Sequence, residues 1–537
     1  MLAATTILLA VSATAATSNT SLQSQLDAIV QTHADYWNTS LSMAFGFDND
    51  NAAPTVFAAA AGTNDRFGKG TPITTQSRIP SGSTAKAFTS AAILRYVDLG
   101  LIHLDSPAYT YIDPWGAQQN PPMAPLLQQW NGDATINTVT VRQLLSMRSG
   151  VKDYKDDTLF QWTLANPNSD FLPEQFLSTV DKSFAFQPGK GGLYSGTGYV
   201  MLGLILSAVQ NASSWDQVDQ KTPLESGGEA GGWKLTLDNT QFMMKGKCNQ
   251  YPEVTHQYIY GNAPYASKLD LELLATPTTC GGSNYPGTCL LGTAASSFAS
   301  ASADACCSAI SQKGGAGVYW EYDGTNCTAF SSVYKGNKKT GCTAGQTDGP
   351  FDPTQVQDLY DFSCLNGFTM GNIATTPTDV VLFYSALANG HILSNATLAE
   401  MRTYQPLTNG YQPPPGTEYG LGLLKETLRF PLESGSAACT KYSEFCKCIF
   451  GFACKTNFHV WGHPGLDWAS GMPFLGVAPA LNMTYSMGFD SYGGFNSSLS
   501  YLTNKETYEY AQTQCLGMDA AVHHVFPDFP KFQCDQW

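Results

Sequence analysis

The chain has 537 residues, 43% hydrophobic and 13% charged, with a formal net charge of −15. This is a globular composition, long enough for a sizeable core or several domains and too apolar for disorder. A nucleic-acid surface needs clustered Lys and Arg; no such run occurs, which argues against a nucleic-acid partner.

In chain order, "MLAATTILLAVSATAATSNTS" reads as a secretory leader over residues 1–16. Thr6 to Val11 is its apolar stretch and Ala13-Thr14-Ala15 a small-x-small cleavage site, although no Lys or Arg precedes them. "SLSMAFGFDNDNAAPTVFAAAAGT" reads as two strands joined by a polar turn. "SGSTAKAFTSAAILRYVDLG" is a buried helix opening near Ser83 and stopping at Gly100. "VTVRQLLSMRSG" is a short helix ending at Gly150, and "SGTGYVMLGLILSAVQ" one that is apolar all round. "TPTDVVLFYSALANG" is a fourth, with Thr376 or Thr378 near its cap and Gly390 past its end. "SGMPFLGVAPA" and "NMTYSMGFDS" read as paired strands. The predicted fold class is therefore α/β (α+β): one antiparallel sheet built from both chain ends, flanked by helices, with an inserted helical lobe. No run approaches the roughly 18 apolar residues of a membrane span.

All 14 cysteines lie at or after Cys248, a usage that fits an oxidising compartment. Cys446, Cys448 and Cys454 mimic a metal cluster, but no His spacing completes it, so disulfides are expected and no metal or cofactor. Residues 280–350 hold six cysteines with little apolar periodicity. They read as a disulfide-stapled insertion, with "ADACCSAIS" as a helix and "GVYWEYDGTNCTAFSS" as a hairpin turning at Asp-Gly. The module faintly resembles PAN/apple domains, which makes it a candidate surface for carbohydrate or protein. Glycosylation acceptors for a secreted chain are Asn38, Asn211, Asn326, Asn395, Asn482 and Asn496; Asn19 is a seventh sequon beside the leader.

A lysine one turn after Ser83 is costly on a buried helix. Residues three apart on a helix are neighbours, so Lys86 can reach the Ser83 hydroxyl. A desolvated lysine can take the serine's proton, and free N–H groups at the helix start can hold an oxyanion. Ser-x-x-Lys occurs three times, at Ser83/Lys86, Ser149/Lys152 and Ser332/Lys335, but only Ser83 opens a long apolar helix after two strands.

"RIPSGSTAKAFTSAAILRYVDLG", "VTVRQLLSMRSGVKDY", "FQPGKGGLYSGTGYVMLGLIL", "TTPTDVVLFYSALANGHIL", "YGLGLL" and "GHPGLDWASG" occur in one order. Together they resemble the serine β-lactamase and penicillin-binding-protein superfamily. The nearest branch is class C-like: D-alanyl-D-alanine carboxypeptidases, D-aminopeptidases and β-lactamase-like esterases. The resemblance covers about residues 40 to 495 minus the insertion and implies a β-lactamase/transpeptidase-like fold. It divides the chain into residues 17–279 and 351–510 as two parts of one domain, with 511–537 as an extension.

The resemblance implies Ser83 as acyl-accepting nucleophile, Lys86 as its proton partner and Tyr194 as proton shuttle. A literal Lys339-Thr340-Gly341 lies inside the insertion, ahead of "TTPTDVV"; His463-Pro464-Gly465 stands in the expected order instead. His463 is then the third element, Gly465 lets backbones approach closely, and the N–H of Leu466 joins that of Ser83 at the oxyanion. Tyr194-Ser195-Gly196 departs from the family's Tyr-x-Asn, since Gly196 removes the amide, which puts penicillinase activity in doubt. The implied function is a secreted serine hydrolase working through an acyl-enzyme on small ester or peptide substrates. Its rivals are an acyltransferase using the same acyl-enzyme, and a catalytically weak binding protein on this scaffold.

Overall fold

The computed structural model describes residues 15–37, 39–49, 52–65, 70–155, 159, 162–163, 166, 168–227, 232–260, 276–277, 283–312, 319–346, 356–408, 417–433, 439, 441–449, 453–490 and 505–534. Residues 1–16, read above as a leader, fall almost entirely outside them.

The molecule is mixed α/β around an antiparallel sheet drawn from both ends of the chain. Strand Leu41–Asn49 lies between Ala52–Ala61 and Met483–Phe489, with Leu41 opposite both Ala61 and Phe489. Gly471–Ala478 pairs with Met483–Phe489 across a turn at Asn482, and the sheet continues through Phe458–Gly462 and Leu424–Leu428. The period of two decides which face each side chain joins. Leu41, Met43, Phe45, Met483, Tyr485, Met487 and Phe489 share one core with Leu22, Leu26 and Val30 of helix Ala15–Trp37 and Met518 and Val522 of helix Lys505–Val525. Each such side chain, fully buried, contributes about 1.5–3 kcal/mol. The intervening Ser42, Ala44, Gly46, Thr484 and Ser486 are small, which lets helix Pro377–Ala388 lie close against the other face.

That second face is the wall of a helical lobe. Phe88 of helix Ala85–Asp98 stacks on Phe383 of Pro377–Ala388, with centroids 3.8 Å apart. Helix Gly196–Val209 is buried from Gly196 to Ser207, as an all-apolar helix must be. Thr376 and Ser195 cap their helices by accepting the N–H of Asp379 and Gly198. The segment expected to be helical up to Gly150 stops at Leu145, because Met147 and Gly150 both take positive φ.

The cysteine-rich insertion leaves and re-enters this body side by side. Tyr258–Tyr260 pairs antiparallel with Val356–Asp358, forming a stem that brackets residues 261–355, within which the 280–350 read from composition falls. Beyond the stem, Ser283–Ala299 and Asn326–Gln346 make a long ribbon closed by Cys289–Cys342. Helix Ala303–Gln312 is tied to it by Cys306–Cys327, around a buried Trp320. Tyr322 faces Cys327 across the Asp323-Gly324 turn. Cys248–Cys364 staples the body just below the stem. Helix Lys505–Val525 crosses residue 510 and packs on the N-terminal helix, with Cys515–Cys534 securing the tail. Among the described residues no cysteine is free, and no helix is long and apolar enough to cross a membrane.

Candidate active site

Ser83 lies in a one-turn 3-10 segment, Gly82–Thr84, that runs into helix Ala85–Asp98. Its neighbours Gly82 and Thr84 are buried while Ser83 is half-buried, so Ser83 is the accessible residue of this turn. Lys86, one turn on, is 2% exposed. Its Nζ donates to Ser83 Oγ at 2.9 Å and to the Met370 carbonyl at 3.0 Å. The ammonium also sits 5.1 Å from the Tyr194 ring centre and 5.6 Å from that of Tyr199, a position that partly replaces lost hydration.

Tyr194 precedes helix Gly196–Val209 and donates its hydroxyl to Ser83 Oγ at 3.0 Å. Below it, Tyr199 is pinned by Ser90 at 3.0 Å, the Leu145 carbonyl at 3.1 Å and Tyr419 at 3.3 Å. Burial pushes the Tyr199 phenol up to about 12 and the Tyr419 phenol well above its ordinary value, so both remain hydrogen-bonding groups.

His463 directly follows strand Phe458–Gly462, and its ring lies 6.0 Å from that of Tyr194 and 5.7 Å from that of Tyr419. Burial, then the nearby Lys86 charge, pulls its pKa down to about 3, so the imidazole is neutral. Nδ1 lies 2.9 Å from the Pro464 carbonyl and is therefore the protonated nitrogen. Nε2 is a buried acceptor with no hydrogen-bond partner among the described residues.

Strand Gly465–Leu466 runs directly against the Ser83 turn. A Cβ on Gly465 would stand 2.1 Å from the Thr84 nitrogen and 2.2 Å from the Ser81 carbonyl, so only glycine admits this approach. Leu466 is thereby set beside Gly82 and Ser83.

The space at residue 196 differs from a simple missing amide. A Cβ on Gly196 would stand 2.4 Å from Met370 Sδ, 3.1 Å from the Tyr154 ring and 3.3 Å from Asp153 Oδ1. The room an asparagine would take is filled by Met370 and by Asp153, whose carboxylate accepts the Thr197 N–H at 3.1 Å. Neither residue was singled out from sequence; Asp153, in the polar run after the Gly150 turn, carried no signal there beyond its charge.

The Ser149 and Lys152 pair is engaged elsewhere. Ser149 Oγ accepts the Val151 N–H, and Lys152 pairs with Asp181 at 2.6 Å and Ser183 at 2.7 Å. Ser332, Lys335 and Lys339-Thr340-Gly341 all lie on the ribbon strand Asn326–Gln346 of the insertion. Asn211, Asn326, Asn395 and Asn482 are exposed, while Asn38 and Asn496 lie outside the described residues. Cys439, Cys448 and Cys454 come close enough to suggest a metal site but are paired, Cys439 with Cys446 and Cys448 with Cys454.

The Beta-lactamase family model matches residues 39–229, which carry Ser83, Lys86 and Tyr194. Over this segment the chain is similar to the serine β-lactamase and penicillin-binding-protein superfamily. Within it, penicillin-binding protein 4 of Amycolatopsis lactamdurans is 29% identical over 151 residues, 28% of this chain and 34% of that relative. The match thus spans about a third of the relative's length. The D-amino acid amidase from Ochrobactrum anthropi SV3, complexed with L-phenylalanine amide, superposes with a TM-score of 0.53 at 16% identity, covering 94% of this chain and 99% of that one. Its complex with D-phenylalanine gives 0.53 at 17% identity, with the same coverage. The likeness to the amidase is one of fold. The shared fold covers the chain past residue 229 as well.

Proposed function

We propose that the chain is a secreted serine hydrolase that cleaves small ester or amide bonds through an acyl-enzyme on Ser83. The observation carrying this reading is that Ser83 Oγ takes hydrogen bonds from Lys86 Nζ at 2.9 Å and Tyr194 OH at 3.0 Å. Two proton carriers converge on one hydroxyl at a helix start, the arrangement an activated nucleophile needs. In the proposed reaction one partner, deprotonated, reverses its hydrogen bond and takes the Ser83 proton as Oγ bonds to the substrate carbonyl. The N–H groups of Ser83 and Leu466 hold the oxyanion. Tyr194 returns a proton to the leaving alcohol or amine as the carbonyl–heteroatom bond breaks. Water, giving its proton back along the same route, then adds to the acyl group and releases the acid.

His463 is neutral, so it serves this site as a hydrogen-bond group beside the tyrosines. Asp153 and Met370 in place of an amide support ester and simple amide turnover over that of penicillins. The leader-like N-terminus, the paired cysteines and the exposed sequons support secretion.

The test is a fluorophosphonate label followed by peptide mapping. Ser83 takes the label, Ser83→Ala abolishes it, and Ser149→Ala and Ser332→Ala retain it. Labelling at Ser332, or none in the folded wild type, overturns the reading. An activated short-chain ester, phenylalanine amides of both hands and a chromogenic cephalosporin then rank the substrate classes by kcat/KM.

A further inference from the structure

Asp467 is buried two residues past Gly465, yet no step above uses it. Its Oδ1 accepts the Asn366 side-chain N–H at 2.7 Å and the Trp468 N–H at 2.7 Å. Burial pushes the carboxyl up to about 6, and the Trp468 N–H, the Asn366 and Gln257 amides and the backbone N–H of Gly82, which face it, oppose that rise. The Trp468 contact alone would be an ordinary turn made by an aspartate side chain. The other three partners come from separate parts of the chain, and each adjoins a piece of the site. Gly82 precedes Ser83. Asn366 lies in the segment that ends at Met370, whose carbonyl holds Lys86. Gln257 opens the insertion stem, and its Oε1 also accepts the Ala469 N–H at 3.2 Å.

We propose that Asp467 is a positioning residue for acyl transfer, tying the Gly465–Leu466 strand, the Ser83 turn and the insertion stem into one rigid frame around the oxyanion. This rests on the acyl-enzyme reading above. A buried carboxylate is costly unless several donors meet it, so its presence here signals a fixed geometry rather than a packing need. The Gly82 N–H faces the carboxylate, and only the two backbone rotations of Gly82 lie between that peptide and the Ser83 N–H. Asp467 directly follows Leu466, and its own N–H is held by the Ser470 carbonyl at 2.8 Å, which fixes the far side of the oxyanion.

The experiment compares wild type, Asp467→Asn and Asn366→Ala on an activated ester, with melting temperatures measured in parallel. Asp467→Asn keeps the shape but turns an N–H toward donors. It lowers kcat by about tenfold to a hundredfold, with KM changed by less than about threefold. Asn366→Ala removes one donor and lowers kcat by about threefold to tenfold. A purely structural aspartate would lower the melting temperature and leave kcat of the folded fraction unchanged, and that result overturns the inference. If Asp467→Asn does not fold, Asn366→Ala decides: a kcat within twofold of wild type rejects the frame. A wild type that fails to label at Ser83 refutes the parent reading instead, so the two failures are separable.

Discussion

Gly82→Ala tests the oxyanion geometry most directly. Gly82 has φ +46°, and an added Cβ would lie 1.9 Å from the Leu466 carbonyl oxygen and 2.5 Å from its carbon. Both obstacles are backbone and cannot rotate away. Alanine in the left-handed region costs about 1–2 kcal/mol, and overpacking adds about 1–3 kcal/mol. Relief requires the Ser83 turn and the Leu466 strand to part by on the order of 1 Å, a misplacement that costs about a hundredfold in rate. The expected result is a folded variant with a clearly lower melting temperature, and with kcat on an activated ester down by about a hundredfold. Gly100→Ala is the control: φ is +70° there, with nothing within 4 Å of the new methyl, so it pays strain and leaves kcat unchanged. A folded Gly82→Ala enzyme with kcat within about threefold of wild type would refute the reasoning.

Other expectations follow from groups described above or packed against them. Asp379, buried at the start of helix Pro377–Ala388, has its pKa raised by burial from 3.8 to about 6. The folded state therefore holds this proton more tightly, so the contribution is full below pH 3.8 and is lost as pH rises through 6, on the order of 3 kcal/mol. Urea midpoints at pH 4.5 and 7.5 should show a term that Asp379→Asn removes, and identical slopes in both proteins would contradict it. His463 runs the other way: with its pKa lowered from 6.5 to about 3, it costs stability as pH falls below 6.5. Nitrogen NMR should find its ring neutral, protonated on Nδ1, from about pH 5 to 8, and a titration near 6.5 would rule this out. Gly196→Asn, which on sequence grounds should restore an amide, collides with Met370 and Asp153 and should lower both stability and ester turnover. A gain in cephalosporin hydrolysis without a melting-temperature loss would show that the pocket opens. Replacing Cys248 and Cys364 with serine frees a loop with sequence separation 116; scanning calorimetry should find a loss of about 3–5 kcal/mol, and an unchanged melting temperature would count against it.

Local pattern made much of this molecule legible. Alternation named the strand pairs at both ends, and the apolar run with an incongruous Lys86 named the turn that carries Ser83. What stayed hidden depends on side chains converging from distant segments. Gly196 read as a lost amide because its neighbours Met370 and Asp153 are far away in sequence. Asp467 carried no signal in the sequence, since Asn366, Gln257 and Gly82 meet only in the fold. The stem at Tyr258–Tyr260 and Val356–Asp358 was missed because three-residue strands carry too little alternation to stand out. Val141–Leu145 ended early because positive φ at Met147 stops a helix that propensity alone would continue.

The pairing of Leu41 with Phe489 also sets a timetable. Strand Leu41–Asn49 is made early and its partner Met483–Phe489 some 440 residues later, so at about 5–20 residues per second it waits roughly 20–90 s. Throughout that interval Met43 and Phe45 are covered by Leu22, Leu26 and Val30 but lack Tyr485, Met487, Phe489 and Met518, and an unpaired strand edge is open to any other nascent chain. Early folding of the helical lobe cannot close this edge, because the missing strand has not yet been synthesised. Maturation should therefore depend on chaperones that hold the first hairpin, and a stop codon before Met483 should send the whole product to degradation rather than yield a shortened enzyme.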